Sequence, residues 1–188
     1  LNGKIRILVE GDCAVDYKNV DESFEIIDRL DQEKYEVWYM SYNAEPKDKY
    51  RVDKFFNRVI FPIMDINQRV IGFGGRVMGD AKPKYLNSPE TMVFDKSRNL
   101  YGLNRARRTK KPYFLLCEGY MDVISLHQAG FTNAVASLGT ALTPGHAALI
   151  RRYVQEVYLT YDSDGAGTRA ALRAMPILRD AGITAKII

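Results

Sequence analysis

An α/β fold is the architecture that this 188-residue sequence predicts: a parallel sheet with flanking helices, preceded by a small basic mixed α+β subdomain. Three observations predict it. Across residues 112–188, short apolar runs alternate four times with helix-patterned stretches, which is the rhythm of a parallel sheet. Across 47–111, short apolar runs lie between Gly- and Asn-rich turns, which points to a small antiparallel sheet. A chain of this length that is 46% hydrophobic and 27% charged can bury a core and is not disordered in composition.

The elements follow in order. Lys4–Glu10 is an apolar run of strand type, Asp21–Gln32 sets Phe24, Ile27 and Leu30 at helical spacing, and Glu36–Tyr42 is strand-like again. These make a strand–helix–strand segment, 1–46, closed by a charged Pro-containing linker at 43–49. In the next segment, 47–111, Val59–Met64 and Arg69–Phe73 are strands joined by a DINQ turn. Pro62 inside the first strand implies an edge position or a bulge. Leu100–Arg107 is a short helix that runs into the basic RARRTKK. In the last segment, 112–188, the strands are Tyr113–Cys117, Asn133–Ala136, Glu156–Thr160 and Thr184–Ile188. The helices are Tyr120–Ala129, Pro144–Tyr153 and Gly167–Ala181.

Charge divides along the same lines. Residues 1–46 carry 5 Lys/Arg against 11 Asp/Glu, 47–111 carry 16 against 6, and 112–188 carry 6 against 6. A strongly basic segment beside clustered carboxylates suggests a polyanion held over a metal site, with a solvated lysine-rich surface as the plain alternative. No apolar run approaches the roughly 20 residues of a membrane span, and no secretory signal opens the sequence. Cys13, Cys117, His127 and His146 lack the spacing of a four-ligand zinc site, so no structural zinc and a reducing cytoplasmic setting are expected. The two histidines read as packing or capping residues, and Cys117 as core filler.

Two strand ends are acidic. Glu118 stands where the first strand of the last segment stops, and Asp122 follows one helical turn on. Gly119 between them is expected to ease the turn. Asp162 and Asp164 follow the strand Glu156–Thr160, with Gly165 and Gly167 leaving room for close approach. In parallel sheets functional groups collect at the carboxyl ends of strands. Carboxylates gathered there suit Mg²⁺ or Mn²⁺, and two such ions can stabilise an in-line phosphoryl transfer. Each acid alone could equally be a helix N-cap or first-turn partner. A calcium-loop reading of Asp-x-Asp-Gly fails because the required glutamate is absent.

The stretches Glu-Gly-Tyr-Met-Asp (118–122), Ala-Ser-Leu-Gly-Thr (136–140) and Asp-Ser-Asp-Gly-Ala-Gly (162–167) resemble the Toprim domain of bacterial primases, topoisomerases and related nucleases. The stretches at 55–63, 72–76, 83–91, 94–97 and 100–102 resemble the catalytic core of bacterial DnaG-type DNA primase. The resemblance covers about residues 53–188 and does not reach 1–46. It implies a Toprim-like sheet and a DNA-directed RNA polymerase that makes short RNA primers on single-stranded DNA from ribonucleoside triphosphates. Glu118, Asp122, Asp162 and Asp164 match the family's acidic metal centre, with Glu118, Asp162 and Asp164 catalytic. Arg58, Arg76, Lys84, Tyr85, Asn87 and Lys96 match the ridge that contacts template and incoming nucleotide.

The resemblance further implies a bacterial, nucleoid-associated protein with no membrane partner. The family's zinc ribbon and helicase-docking domain are not among these residues, so the replicative helicase is expected to bind only through a domain absent here. The family also continues past Ile188 into a further acidic cluster, so the metal site is expected to be truncated. The alternative from another class is an inactive or nuclease-like Toprim module that binds nucleic acid without polymerising it.

Overall fold

The computed structural model describes residues 5–11, 35–41, 55, 57–80 and 82–188, with the first two stretches described as backbone alone. The helix expected at Asp21–Gln32, the linker at 43–49 and Cys13 lie outside the described residues. The described residues divide into two compact units. One takes those within Leu1–Ile63 together with Gly72–Ser88, and the other takes Met64–Ile71 and Pro89–Ile188.

The first unit holds a five-stranded sheet in the order β2-β1-β3-β4-β5. Its strands are β1 (Ile5–Gly11), β2 (Tyr35–Ser41), β3 (Arg58–Met64), β4 (Val70–Val77) and β5 (Tyr85–Asn87). Strand β1 pairs parallel with β2 and antiparallel with β3, so the sheet is mixed and runs without a break across the boundary expected at residue 46. Pro62 is thus in a central strand, not an edge strand. The pairing of β3 with β1 ends at Ile60, however, so the missing N–H of Pro62 costs no rung of that ladder.

The β3–β4 connection, counted with the second unit, is the expected DINQ turn. The Asp65 carboxylate accepts from the Asn67 and Arg69 N–H groups at 2.8 and 2.9 Å, a side chain standing in for a strand partner. Strand β4 runs on through Gly74 and Gly75, further than the expected Phe73.

The second unit is built on four parallel strands in the order β7-β6-β8-β9, where β6 is Tyr113–Cys117, β7 Ala134–Ala136, β8 Glu156–Thr160 and β9 Thr184–Ile187. Strand β6 buries every residue after Tyr113, as a central parallel strand covered on both faces must. Strand β8 alternates, burying Val157 and Leu159. The helices α2 (Tyr120–Gln128), α3 (Pro144–Arg151) and α4 (Gly165–Asp180) supply the cover. Helix α4 turns Gly167, Ala171, Ala174 and Leu178 inward, at steps of three and four residues. With Phe114, Leu116, Leu159, Ile150 and Leu100 they form one apolar core. Each large apolar side chain in it contributes about 1.5–3 kcal/mol by leaving water.

The short helix expected at Leu100–Arg107 is a single turn, α1 (Leu103–Ala106). Gly102 before it has φ +80°, a left-handed conformation that no helix continues through. The segment docks by a two-way pairing of Tyr101 with Ala136 on β7, at 2.8 and 3.1 Å. Cys117 is buried, and burial pushes its thiol up to about 11, the inert sulfur expected of core filler. Among the described residues no helix is long and apolar enough to cross a membrane.

Gly102 is also where a side chain has no room. A Cβ there would lie 2.7 Å from Val123 Cγ1 and 2.9 Å from the Ala134 carbonyl, on top of the positive φ. Gly130, with φ +90°, has nothing within 4 Å. Chemical denaturation should find Gly102→Ala destabilised by about 2–4 kcal/mol and Gly130→Ala by about 1 kcal/mol. Equal losses would mean that φ alone, not close packing, dictates glycine at 102.

Candidate functional site

The carboxyl edge of the parallel sheet is set by the pairing of β6 with β8. Cys117 lies opposite Thr160 on the last rung, so the next residues of both strands emerge side by side. Glu118 follows the first strand and reaches across: its Oε1 accepts from the Asp162 N–H at 3.0 Å. Glu118 and Asp162 are thus neighbours, joined by the side chain of the first and the backbone of the second. Tyr161 between them is half-buried, and its phenol is pushed up to about 12 by burial and then by the Glu118 charge, so it stays neutral.

The other two acids serve helix ends. Asp164 is the N-cap of α4, its Oδ1 accepting from Ala166 and Gly167 N–H at 2.9 and 2.7 Å. Asp122, in the first turn of α2, accepts from the Gly119 N–H at 3.0 Å through Oδ2. These bonds turn both carboxylates back onto their own helices. Among the described residues no three acidic, imidazole or thiol groups come together closely enough to hold a metal ion. The donor set still fits a hard divalent cation: all four acids offer oxygen, all are exposed, and Asp122 and Asp164 each engage only one oxygen in capping. The capping alternative is thus observed for these two residues, and it leaves one oxygen of each outside the cap.

The glycines differ in importance. Gly119 has φ −143°, open to any residue, and a Cβ there would meet only Asp122 Oδ2 at 3.8 Å, so the expected need for glycine is absent. Gly167 is different. A Cβ on it would lie 2.2 Å from the Asp162 carbonyl and 2.5 Å from Glu118 Oε1. The start of α4 can pass beside the Glu118–Asp162 link only because this residue has no side chain.

Lys96 lies in a loop, Asp95–Asn99, of the same unit. The loop is ordered from within by Asp95, which accepts from the Ser97 N–H and hydroxyl at 2.8 and 2.6 Å. Those bonds hold the Asp95 carboxyl below the usual range. The loop abuts α3, whose N-cap Thr143 and third residue His146 bond each other reciprocally. His146 was expected to cap or pack, and it does both. Burial lowers its pKa, as it does that of His127, whose Nε2 meets the Ala134 carbonyl at 2.9 Å.

The remaining expected contacts lie in the first unit. Register places Arg76 opposite Tyr85 and Gly74 opposite Asn87, so Arg76, Tyr85 and Asn87 share one face of the β4–β5 pair. Tyr85 is 43% exposed, and the Lys84 ammonium lies 5.8 Å from its ring centroid. Arg58 stands apart from this set. It is only 6% exposed, and its guanidinium donates to the Pro83 carbonyl at 2.8 Å and the Lys84 carbonyl at 3.4 Å. It braces the backbone that carries Lys84. Sequence reasoning missed this brace, and it missed Glu90 and Thr143, whose bonds to the Lys96 loop cross 6 and 46 residues of chain.

Comparison with known proteins covers nearly the whole chain. The family "DNA primase catalytic core, N-terminal domain" matches residues 15–107, and a Toprim-like family matches 115–188. The first match reaches well upstream of the motifs that carry the resemblance. DNA primase of Clostridium acetobutylicum is 57% identical over 143 residues, covering 76% of this chain and 24% of that protein. The zinc-binding and RNA polymerase domains of the Aquifex aeolicus primase align with a TM-score of 0.72 at 42% identity, covering 77% of this chain and 37% of that one. A DnaG primase catalytic domain bound to single-stranded DNA aligns with a TM-score of 0.67 at 47% identity, covering 72% of this chain and 44% of that one. The chain spans about a quarter of the length of the curated relatives it matches.

Two measurements probe this site. Gly167→Ala should lower stability by about 1–3 kcal/mol in denaturant titration, since the backbone of Asp162 cannot retreat without breaking its bond to Glu118. Gly165→Ala, whose Cβ would meet only the mobile Arg169 side chain, should stay within about 0.5 kcal/mol of the parent. The histidines give a pH signature. His127 and His146 are neutral in the folded state, whereas in the unfolded chain they protonate near the ordinary value of about 6.5. Stability is therefore complete above that value and is lost as pH falls below it toward the lowered folded-state values. The melting temperature should be lower at about pH 5 than at about pH 7.5, and His146→Gln should make that dependence shallower.

Proposed function

The chain belongs to the DnaG-type DNA primase family, and we propose that it is the nucleotidyl-transferring segment of a DNA primase. On this reading it copies single-stranded DNA into short RNA primers from ribonucleoside triphosphates. The observation that carries the reading is the Glu118 carboxylate bonded to the Asp162 N–H at the carboxyl ends of adjacent parallel strands. That is where a parallel sheet presents its reactive groups. Here it coincides with the family's acidic motifs.

Glu118, Asp122, Asp162 and Asp164 would hold Mg²⁺ or Mn²⁺. Bound there, such an ion neutralises triphosphate charge and polarises the reacting phosphorus. The chain's own groups do the rest. Glu118, anchored on the Asp162 backbone, stands as the carboxylate available to accept the proton of the attacking 3′-hydroxyl. Arg76, Lys84 and Lys96 contact phosphates, Asn87 offers an amide to a sugar or base, and Tyr85 offers a half-exposed ring for stacking. Arg58 contributes by keeping the Pro83–Lys84 backbone in place. In this role the protein works in the bacterial cytoplasm at the nucleoid, and contact with the replicative helicase does not run through these residues.

Substitutions in the full-length protein should separate chemistry from binding. Asp162→Asn keeps size and hydrogen-bonding capacity while removing a charge that a dication needs. Primer synthesis should fall at least about 100-fold, with single-stranded DNA binding and melting temperature preserved. Lys84→Ala should do the converse: weaker binding on every template sequence and a salt dependence shallower by about 0.7 in log–log slope. Wild-type priming by Asp162→Asn would remove the phosphoryl-transfer assignment. Metal-dependent degradation of the DNA without primer synthesis would establish the nuclease-like alternative.

A further inference from the structure

The loop that carries Lys96 is fastened more completely than an exposed turn requires. Both backbone polar groups of Lys96 are held: its N–H donates to Glu90 Oε1 at 3.2 Å, and its carbonyl accepts from His146 Nε2 at 2.7 Å. The next residue is held the same way. The Ser97 N–H donates to Asp95 Oδ1 at 2.8 Å, and its carbonyl accepts from the Thr143 hydroxyl at 2.7 Å. Gly145 makes this approach feasible, since a Cβ there would lie 2.8 Å from the Ser97 carbonyl.

His146 is the hinge pin of the arrangement. It is fully buried, and its Nδ1 accepts from the Thr143 N–H at 3.2 Å, which leaves the proton on Nε2 to point at Lys96. Asp95 is the charged group that acts on its ring. The contacts of Lys96 among the described residues are those two backbone bonds, and none engages its ammonium. A rigid backbone beneath an unengaged cation is the arrangement expected of a group kept ready for an anion.

We propose that His146 is a positioning residue for Lys96, fixing the backbone from which that lysine presents its ammonium to a phosphate of bound nucleic acid or nucleotide. The proposal rests on the primase reading. The two sources of phosphate are separated by measuring single-stranded oligonucleotide affinity and the KM for ribonucleoside triphosphate in parallel.

The test is a double-mutant cycle in the full-length protein. In His146→Asn the side-chain oxygen sits where Nδ1 accepts, so the α3 cap is kept while the bond to Lys96 is lost. In His146→Gln the amide nitrogen reaches the Lys96 carbonyl, so that bond is kept and the cap weakened. His146→Asn should raise the Kd or the KM about fivefold, the effect of one net hydrogen bond, with kcat little changed. On a Lys96→Ala background it should add nothing, and His146→Gln should recover at least half of the loss on a logarithmic scale. The arm in which coupling shows identifies the phosphate. Additive losses, or equal losses in Asn and Gln that follow melting temperature alone, would reduce His146 to a structural residue and overturn the proposal. So would Lys96→Ala without effect in either arm. If the Asn variant does not fold, imidazole nitrogen NMR of the parent protein decides. A proton found on Nδ1 at neutral pH would overturn the proposal. Absence of DNA binding and priming by the parent protein would remove the primase reading and this inference together, whereas an additive cycle in an active protein removes this inference alone.

Discussion

Two parallel strands that end on a common rung hand their next residues to the same place, and in this protein the rung is Cys117 opposite Thr160. Everything acidic at the sheet edge depends on that register. A shift of one residue would turn the buried Val157 and Leu159 of β8 outward and carry Asp162 away from Glu118. The core holds the register in place. Phe114 and Leu116 on β6, and Val157 and Leu159 on β8, share one core with Ala147 and Ile150 of α3 and Ala171, Ala174 and Leu178 of α4. Chemistry at the edge is thus secured by apolar packing several residues below it.

Two of the acids at that edge cap helices, and on the proposed reading they would also hold a metal ion. A carboxylate at a helix N-terminus satisfies amide groups that would otherwise lack partners and sits favourably against the helix dipole. Asp164 on α4 and Asp122 on α2 do this with one oxygen each. The same caps fix where each carboxylate stands, so that a ligand drawing on the second oxygen finds a group already placed. Capping does not preclude ligation, because a carboxylate has more acceptor sites than a cap consumes.

Much of this was legible in the sequence. The four strands and three longer helices of 112–188 follow from runs such as Tyr113–Cys117 and from the three-and-four spacing of Ala171, Ala174 and Leu178. The DINQ turn follows from Asp65, whose side chain can stand in for a backbone acceptor. Other features depend on residues distant in sequence. Pro62 reads as an edge residue until the end of the β1 pairing at Ile60 is known. Arg58 reads as a nucleic-acid contact, and nothing local shows that its guanidinium also donates to the Pro83 and Lys84 carbonyls, 25 and 26 residues away. Gly119 and Gly167 look alike in their motifs, and only the atoms around them show that one is dispensable and the other is not. The Thr-Pro-Gly-His start of α3 signals a cap, but nothing local shows that its histidine also grips a carbonyl 50 residues back.

The two-way pairing of Tyr101 with Ala136 has a bearing on how the sheet meets other chains. Strand β7 is only three residues long, and an open edge of that kind is a template on which a foreign strand can add. Tyr101 takes the N–H and the carbonyl of Ala136, the last residue of the edge that β7 would otherwise expose, and Gly102 turns the chain away at once. The β7 flank is therefore blunted against unwanted association. The opposite flank is β9, outside which no further strand pairs among the described residues.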